Sequence, residues 1–217
     1  MRFTFLVTTI LVLCLASIAT ALNVQVDLSC PGQAATKKGG DWSDFEVSGG
    51  CDGDRHDPRT WTDPVSDITF TAGQPGGHGN VISGGGDPIC NTAYQQWEGD
   101  SAPMILSISG AGHTAGDYTI EVLHAWGSGN ITGLTVTGAD SYTIIQPGQV
   151  VATGSDADLL AAVGSHTLVN YSIANNGQKV TLEWSGVPKI NAWILTPEPA
   201  TVVLLGLGGL ALLRRRR

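Results

Sequence analysis

Short apolar segments in which every second residue is polar dominate the middle of this chain. In residues 117–125, Tyr118, Ile120 and Val122 are separated by polar neighbours, so their side chains would share one face of an extended strand. Residues 23–28 show the same alternation. Both segments are therefore predicted to be half-buried β-strands.

The same pattern predicts further strands, separated by turns rich in Gly, Asn, Asp, Pro and Ser. They cover residues 68–71, 104–109, 131–137, 142–145, 150–153, 167–173, 179–185 and 190–195. Asn176-Gly177 predicts a hairpin turn before residues 179–185, because both residues tolerate a positive φ. The last strand is expected to return beside the first.

Roughly eight to ten short strands without a repeat of fixed period predict an all-β fold, a sandwich or a jelly roll. Residues 157–163 are the one segment that fits a helix. Beyond the first strand, the half of the chain before residue 103 is expected to be rich in loops.

The N-terminal residues 1–21 have the composition of a secretion signal. A single positive charge at Arg2 precedes a mostly apolar run, and Ala19-Thr20-Ala21 is a small-x-small pattern that signal peptidase accepts. The run is shorter than the ~20 apolar residues that a spanning helix needs. We therefore predict a signal helix that signal peptidase removes by cleavage after Ala21.

The C-terminal residues 197–217 differ sharply in composition from the rest. They comprise the tripeptide Pro197, Glu198 and Pro199, an apolar run at residues 200–213, and the basic end Arg214, Arg215, Arg216 and Arg217. The run predicts a transmembrane helix of about 21 Å, which is short for a hydrocarbon core of about 30 Å. The positive-inside rule keeps the arginines cytoplasmic and the rest of the domain outside.

This three-part tail resembles the PEP-CTERM sorting signal of Gram-negative bacteria. The resemblance implies an exosortase-type sorting protease as partner and cleavage near the Pro-Glu-Pro. The protein would cross the inner membrane, be anchored transiently by the C-terminal helix, and then reach the cell surface or the extracellular space. An ordinary tail anchor is the alternative, and it predicts the same membrane side.

Residues 22–196 are long enough for one sizeable domain and carry 18 of the 19 acidic side chains but only 6 of the 11 basic ones. Their formal charge of −12 argues against nucleic acid as a partner. Cys30, Cys51 and Cys90 remain after export. An oxidising envelope favours one disulfide and one free thiol among them, and their spacing does not define the pair.

The order of features in residues 115–195 resembles the galactose-binding-like jelly rolls found as carbohydrate-binding modules and in malectin-like domains. The features that carry the resemblance are the strands at 116–122 and 133–136, the Asn176-Gly177 turn into 179–184, and the closing segment 190–194. The resemblance implies a jelly-roll β-sandwich and a polysaccharide ligand such as an exopolysaccharide or envelope glycan.

Tryptophan faces stack on sugar rings, so the positions of the six tryptophans matter. Trp126 follows a predicted strand and enters a Gly-rich loop, with His124 and Asn130 beside it, and these three are the candidate ligand contacts. Packing at the domain edge is the alternative. Trp184 and Trp193 are expected in the core, and Trp42, Trp61 and Trp97 in loops.

Asp52, Asp54 and Asp57 place carboxylates close together in an acidic, Gly-rich segment. They are candidate ligands for a structural calcium ion, which jelly rolls of the resembled class often hold, although a charged surface turn fits the same residues. The five histidines lack the spacing of a zinc site, and no motif requires a cofactor.

Together these features predict a non-catalytic, exported surface or matrix protein whose β-sandwich binds polysaccharide. No nucleophile elbow is present, and the sequence identifies no catalytic residue. Two alternatives stay open. One is a small polysaccharide-degrading enzyme that uses the acidic groups of residues 52–63 with His56, and the other is a structural matrix protein without a ligand.

Overall fold

The computed structural model describes residues 23–29, 38–46, 55–75, 79–83, 87–96, 102–125 and 129–198. Within these ranges the chain forms 15 strands, two short α-helices and one 3-10 turn. The prediction of an all-β fold is confirmed. The predicted count of eight to ten strands is too low, because the first half of the chain contains strands that were expected to be loops.

Six strands form the front sheet. In spatial order they are β11 (Ser141–Pro147), β12 (Thr167–Ile173), β9 (Gly116–Leu123), β15 (Ala192–Pro197), β1 (Val24–Ser29) and β2 (Trp42–Glu46). All neighbours are antiparallel except β1 and β2, which run parallel. The prediction that the last strand returns beside the first is confirmed, since β15 pairs with β1.

Five antiparallel strands form the back sheet: β10 (Ile131–Thr137), β13 (Val180–Gly186), β8 (Met104–Ser109), β5 (Thr69–Gly73) and β4 (Arg59–Thr62). A smaller side sheet contains β14 (Lys189–Ile190), β7 (Thr92–Gln96), β6 (Gly79–Ser83) and β3 (Arg55–His56). The segment predicted as one strand at 190–195 is therefore divided between β14 and β15.

The apolar faces of the front and back sheets meet in one core, which makes the fold a β-sandwich. Ile120 and Val122 from β9 and Leu106 from β8 are fully buried there. Trp184 and Trp193 are also buried, as predicted. Burial of each such aliphatic side chain contributes about 1.5–3 kcal/mol.

An aromatic cluster fills the side of this core that the edge strands β2 and β4 border. Trp61 stacks on Phe45 with ring centroids 5.8 Å apart, and Trp193 lies 5.4 Å from the ring of Phe70. Trp42 and Trp61 belong to strands β2 and β4. The prediction that these two tryptophans lie in loops is wrong, because their packing against the sheets overrides the local turn-rich composition.

The Asn176-Gly177 turn does not close a hairpin, contrary to the prediction. Gly177 has the expected positive φ of 74°, but the strands on either side lie in different sheets. β12 pairs with β9 and β11, and β13 pairs with β8 and β10. The turn carries the chain across the sandwich, because each strand buries its apolar face against the other sheet.

Residues 150–153 do not form the predicted strand. Val151 makes an isolated bridge with Ala125, and its N–H donates to the His124 carbonyl over 2.8 Å. The predicted helix is present as α2 (Asp156–Ala161), capped by Ser155. With α1 (Pro88–Asn91) it covers one half of the outer face of the front sheet, over Leu123 and its neighbours.

The predicted signal helix at residues 1–21 and the predicted transmembrane helix at 200–213 lie outside the described residues. Within the described ranges no helix is long and apolar enough to cross a bilayer. The domain boundaries at residues 22 and 196 remain a prediction.

Candidate functional site

Several strand ends meet at one end of the front sheet, which we call the terminal end. Val24 of β1 lies beside Leu195, and Pro197 of β15 lies beside Tyr118 of β9. The start of β9 is in turn paired with Ile173, the last residue of β12. The beginning of the domain and its end are therefore neighbours at the terminal end.

A shallow groove of about 280 Å³ opens at the terminal end. Its lining residues come from β9, β11, β12 and the residue after β15. They are Asp117, Tyr118, Ser141, Tyr142, Thr143, Asn170, Tyr171, Ser172 and Glu198. The helices cover the opposite half of the outer face of the sheet and leave this half open.

Strand alternation explains why the groove is polar. In β12 Val169 and Tyr171 are buried, whereas Asn170 between them is exposed. In β9 Tyr118 is buried and Asp117 is exposed. On the edge strand β11, Tyr142 pairs with the buried Tyr171 and therefore lies on the core-facing side of the sheet, where 49 % of it is exposed at the sheet edge. The groove on the outer face thus presents hydroxyl, amide and carboxylate groups.

Hydrogen bonds link the groove residues to one another. The Thr119 hydroxyl lies 3.0 Å from Oδ1 of Asn170 and 2.8 Å from Oε1 of Glu198, so two acceptors share its single proton. The hydroxyls of Ser141 and Ser172 are 2.7 Å apart. Asp117 and Glu198 contribute two carboxyl groups, and no lysine or arginine is among the described residues that line the groove.

The buried layer beneath the groove is fixed by tyrosines and a histidine. Tyr118 and Tyr171 stack with ring centroids 5.4 Å apart. Nδ1 of His113 donates to the Gln178 carbonyl at 2.8 Å, which leaves Nε2 to accept from the Tyr171 hydroxyl at 2.9 Å. Burial lowers the pKa of His113 and raises that of Tyr171, so both groups stay neutral near pH 7.

Of the three predicted ligand contacts, His124 and Asn130 lie away from the groove, with His124 directly after the other end of β9. Trp126 is outside the described residues. Asn130 is exposed, and its Oδ1 accepts from the Val187 N–H at 3.3 Å.

His124 is fully buried, so the prediction that it contacts a ligand does not fit its position. Its Nδ1 donates to the Lys189 carbonyl, and Nε2 lies 2.8 Å from the Thr167 hydroxyl. Burial lowers the pKa of His124 to about 4. The ring therefore packs in the domain as a neutral, hydrogen-bonded group. The sequence suggested exposure because His124 follows a strand end, but its ring packs against Trp184 inside the domain.

The predicted calcium ligands Asp52 and Asp54 lie outside the described residues, and Asp57 is exposed. In the part of the chain that the structure describes, no group of three His, Cys, Asp or Glu side chains is arranged to hold a metal ion. Calcium binding by these residues remains a prediction.

A buried carboxyl group that the sequence did not single out lies on β1. Asp27 is completely buried, and its Oδ2 accepts from the Lys38 backbone N–H at 2.9 Å. Burial, with the nearby Asp44 and Asp156 carboxylates, raises the pKa of Asp27 to about 8 despite that hydrogen bond. Nζ of Lys38 forms a salt bridge of 2.7 Å with Asp156.

A comparison with protein-family models gives a match, and it begins at the terminal end. Residues 195–217 match the family model of the PEP-CTERM protein-sorting motif. The chain carries a PEP-CTERM sorting motif. The match begins inside β15, so the motif starts in the folded domain rather than after it. Of the sorting residues predicted from sequence, Pro197 and Glu198 are described, whereas Pro199 and the arginines at 214–217 lie outside the described residues.

Among solved structures, this chain is similar to a family 35 carbohydrate binding module from Clostridium thermocellum. The match has 14 % sequence identity and a TM-score of 0.32, and it covers 64 % of this chain and 98 % of the module. No curated protein matches this sequence.

The sequence patterns do not predict the groove, although they indicate some of the residues that line it. Alternation in β9 and β12 correctly predicts that Asp117 and Asn170 point away from the core. It does not show that β9, β11 and β12 are neighbours, nor that Glu198 returns beside them. Those relations are non-local and no short motif encodes them.

Proposed function

We propose that this protein is exported, sorted by an exosortase through residues 195–217, and displayed as a non-catalytic β-sandwich that binds polysaccharide in the groove at the terminal end. The PEP-CTERM motif carries the proposal. The apolar run and arginines of the tail supply a membrane anchor with the domain on the outer side.

The chemistry of the groove supports a polysaccharide ligand. Asn170 and the serine and threonine hydroxyls around it are suited to hydrogen bonding with sugar hydroxyls. Asp117 and Glu198 make the groove negative, so it favours neutral or amino sugars over uronic acids.

Glycoside hydrolysis is the alternative, because Asp117 and Glu198 line the same groove and glycosidases use a pair of carboxyl groups. A binding assay alone does not separate the two activities. Purified protein should therefore be tested for retention on a glycan array and, in parallel, for release of reducing sugar. Retention without product supports binding, and product formation contradicts the non-catalytic assignment.

Sorting is tested on the full-length chain in a Gram-negative host with its exosortase and in a matched strain that lacks the enzyme. Mass spectrometry of the C-terminus should show the four arginines only in the strain without exosortase. Their retention in both strains would leave an ordinary tail anchor as the explanation.

A further inference from the structure

The start of the sorting motif is part of the front sheet. Leu195 is fully buried in the core, and Thr196 and Pro197 continue the pairing with β9. The N–H of Glu198 donates to the Asp117 carbonyl at 2.8 Å. Two residues of the Pro-Glu-Pro tripeptide are thus held by the folded domain.

The side chain of Glu198 adds a second contact. Its Oε1 lies 2.8 Å from the Thr119 hydroxyl, between residues 79 positions apart in sequence. Strand β1 pairs with β15 only as far as Leu195, so among the described strands β9 alone pairs with the last two residues of β15. This end can detach from β9 without disturbing the rest of the sandwich, as strand ends with few partners do.

The short distance in sequence between Glu198 and the predicted membrane segment restricts how far the domain can lie from the bilayer while Glu198 is docked. Only Pro199 separates Glu198 from the apolar run that begins at Ala200. Two residue steps span at most about 7 Å, so docking of Glu198 holds the edge of the sandwich close to the bilayer. Release of residues 196–198 would add roughly 10 Å of free chain.

We infer that docking of residues 196–198 on β9 masks the sorting motif, and that this end of β15 must detach before the exosortase processes the chain. The inference rests on the proposed sorting function. A protease needs access to the backbone that Asp117 and Tyr118 now pair with. When detachment is faster than cleavage, the processing rate follows the detached fraction.

Thr119→Val tests the inference, because it removes the hydroxyl next to Glu198 and leaves the sorting motif unchanged. Thr71→Val is the matched control, since Thr71 makes a similar exposed contact of 2.9 Å with Thr60 in the back sheet, away from the tail. Pulse-chase labelling in the exosortase-positive host should show processing roughly three- to tenfold faster for Thr119→Val, as expected for one lost hydrogen bond. The control should match the wild type.

Hydrogen exchange of the intact, detergent-solubilised chain from the exosortase-deficient strain gives an independent measurement. The Glu198 amide should be protected in the wild type and in Thr71→Val, and less protected in Thr119→Val. An unprotected Glu198 amide in the wild type, or equal processing rates for all three chains, overturns the masking. A wild-type chain that is never processed overturns the proposed sorting and the masking with it.

Discussion

Val24 of β1 is paired with Leu195 of β15. The first of these residues lies three positions after the predicted signal-peptide cleavage site, and the second is the first residue of the sorting motif. The two segments proposed to contact the membrane therefore leave the sandwich from adjacent strands at the terminal end. An anchored precursor would face the membrane with this end.

Leu195 belongs both to the core and to the sorting motif, so it should matter for folding irrespective of sorting. Leu195→Ala should lower the free energy of unfolding by about 2–5 kcal/mol, because it leaves a cavity between the sheets. Urea denaturation of the purified chain measures this loss. Ile145→Ala on β11, where 54 % of the side chain is exposed, should change it by less than about 0.5 kcal/mol.

Asn170 should contribute to glycan binding if the groove is the ligand site, because its exposed amide lies on the groove side of β12. Asn170→Ala should weaken the affinity for the best glycan by about tenfold, which corresponds to about 1.4 kcal/mol. Titration calorimetry measures the change. Val65→Ala, at a 74 % exposed position elsewhere, should have no effect. Equal affinities for the wild type and Asn170→Ala would exclude the groove as the site.

Asp27 should make the domain less stable as the pH rises. Its pKa in the folded protein is about 8 against an ordinary 3.8, so between these values the folded state binds the proton and the unfolded state does not. Stability should then fall by about 1.4 kcal/mol per pH unit across this window and level off above it. Asp27→Asn should remove this slope in denaturation experiments, whereas Asp57→Asn, at an exposed position, should preserve it.

The pKa values of His124 and His166 should be shifted in opposite directions from that of free histidine. Burial lowers the pKa of His124 to about 4, so its contribution to stability is complete above pH 6.5 and is lost as the pH falls towards 4. Desolvation by itself would lower the pKa of His166, but hydrogen bonds to Glu121 and the Leu159 carbonyl outweigh it and raise the pKa. The stability that His166 contributes is complete below pH 6.5 and is lost as the pH rises through this raised pKa. NMR titration of the imidazole signals distinguishes the two, and a coincident midpoint would contradict both assignments.

Cys90 should be the unreactive free thiol of the exported protein. It is buried and makes no disulfide, and burial together with the nearby acidic groups raises its pKa to about 12. If the envelope oxidises one pair, that pair is Cys30 and Cys51. Alkylation of the folded, unreduced chain should label no cysteine, and alkylation after unfolding without reductant should label Cys90 alone. Labelling of Cys30 or Cys51 in the unfolded, unreduced chain would exclude the disulfide.

Local patterns in the sequence were sufficient for most strands of the second half and for the sorting motif, but not for residues 150–153 or for the division of 190–195 between two sheets. Residues 104–109, 131–137 and 167–173 were predicted with the bounds that the structure shows, because alternation reports directly which side chains a strand buries. The sorting tail was recognisable for a related reason. An apolar run with a basic end is specified by composition alone, without partners from elsewhere in the chain.

Only the tertiary structure decided which strands are neighbours. The Asn176-Gly177 turn has the local conformation expected of a hairpin, yet it joins two sheets, because the choice of partner depends on burial summed over the whole sandwich. For the same reason the sequence could not reveal that Asp27 is buried or that Thr119 meets Glu198. Such contacts form between distant segments, and their free energy depends on every strand that brings them together.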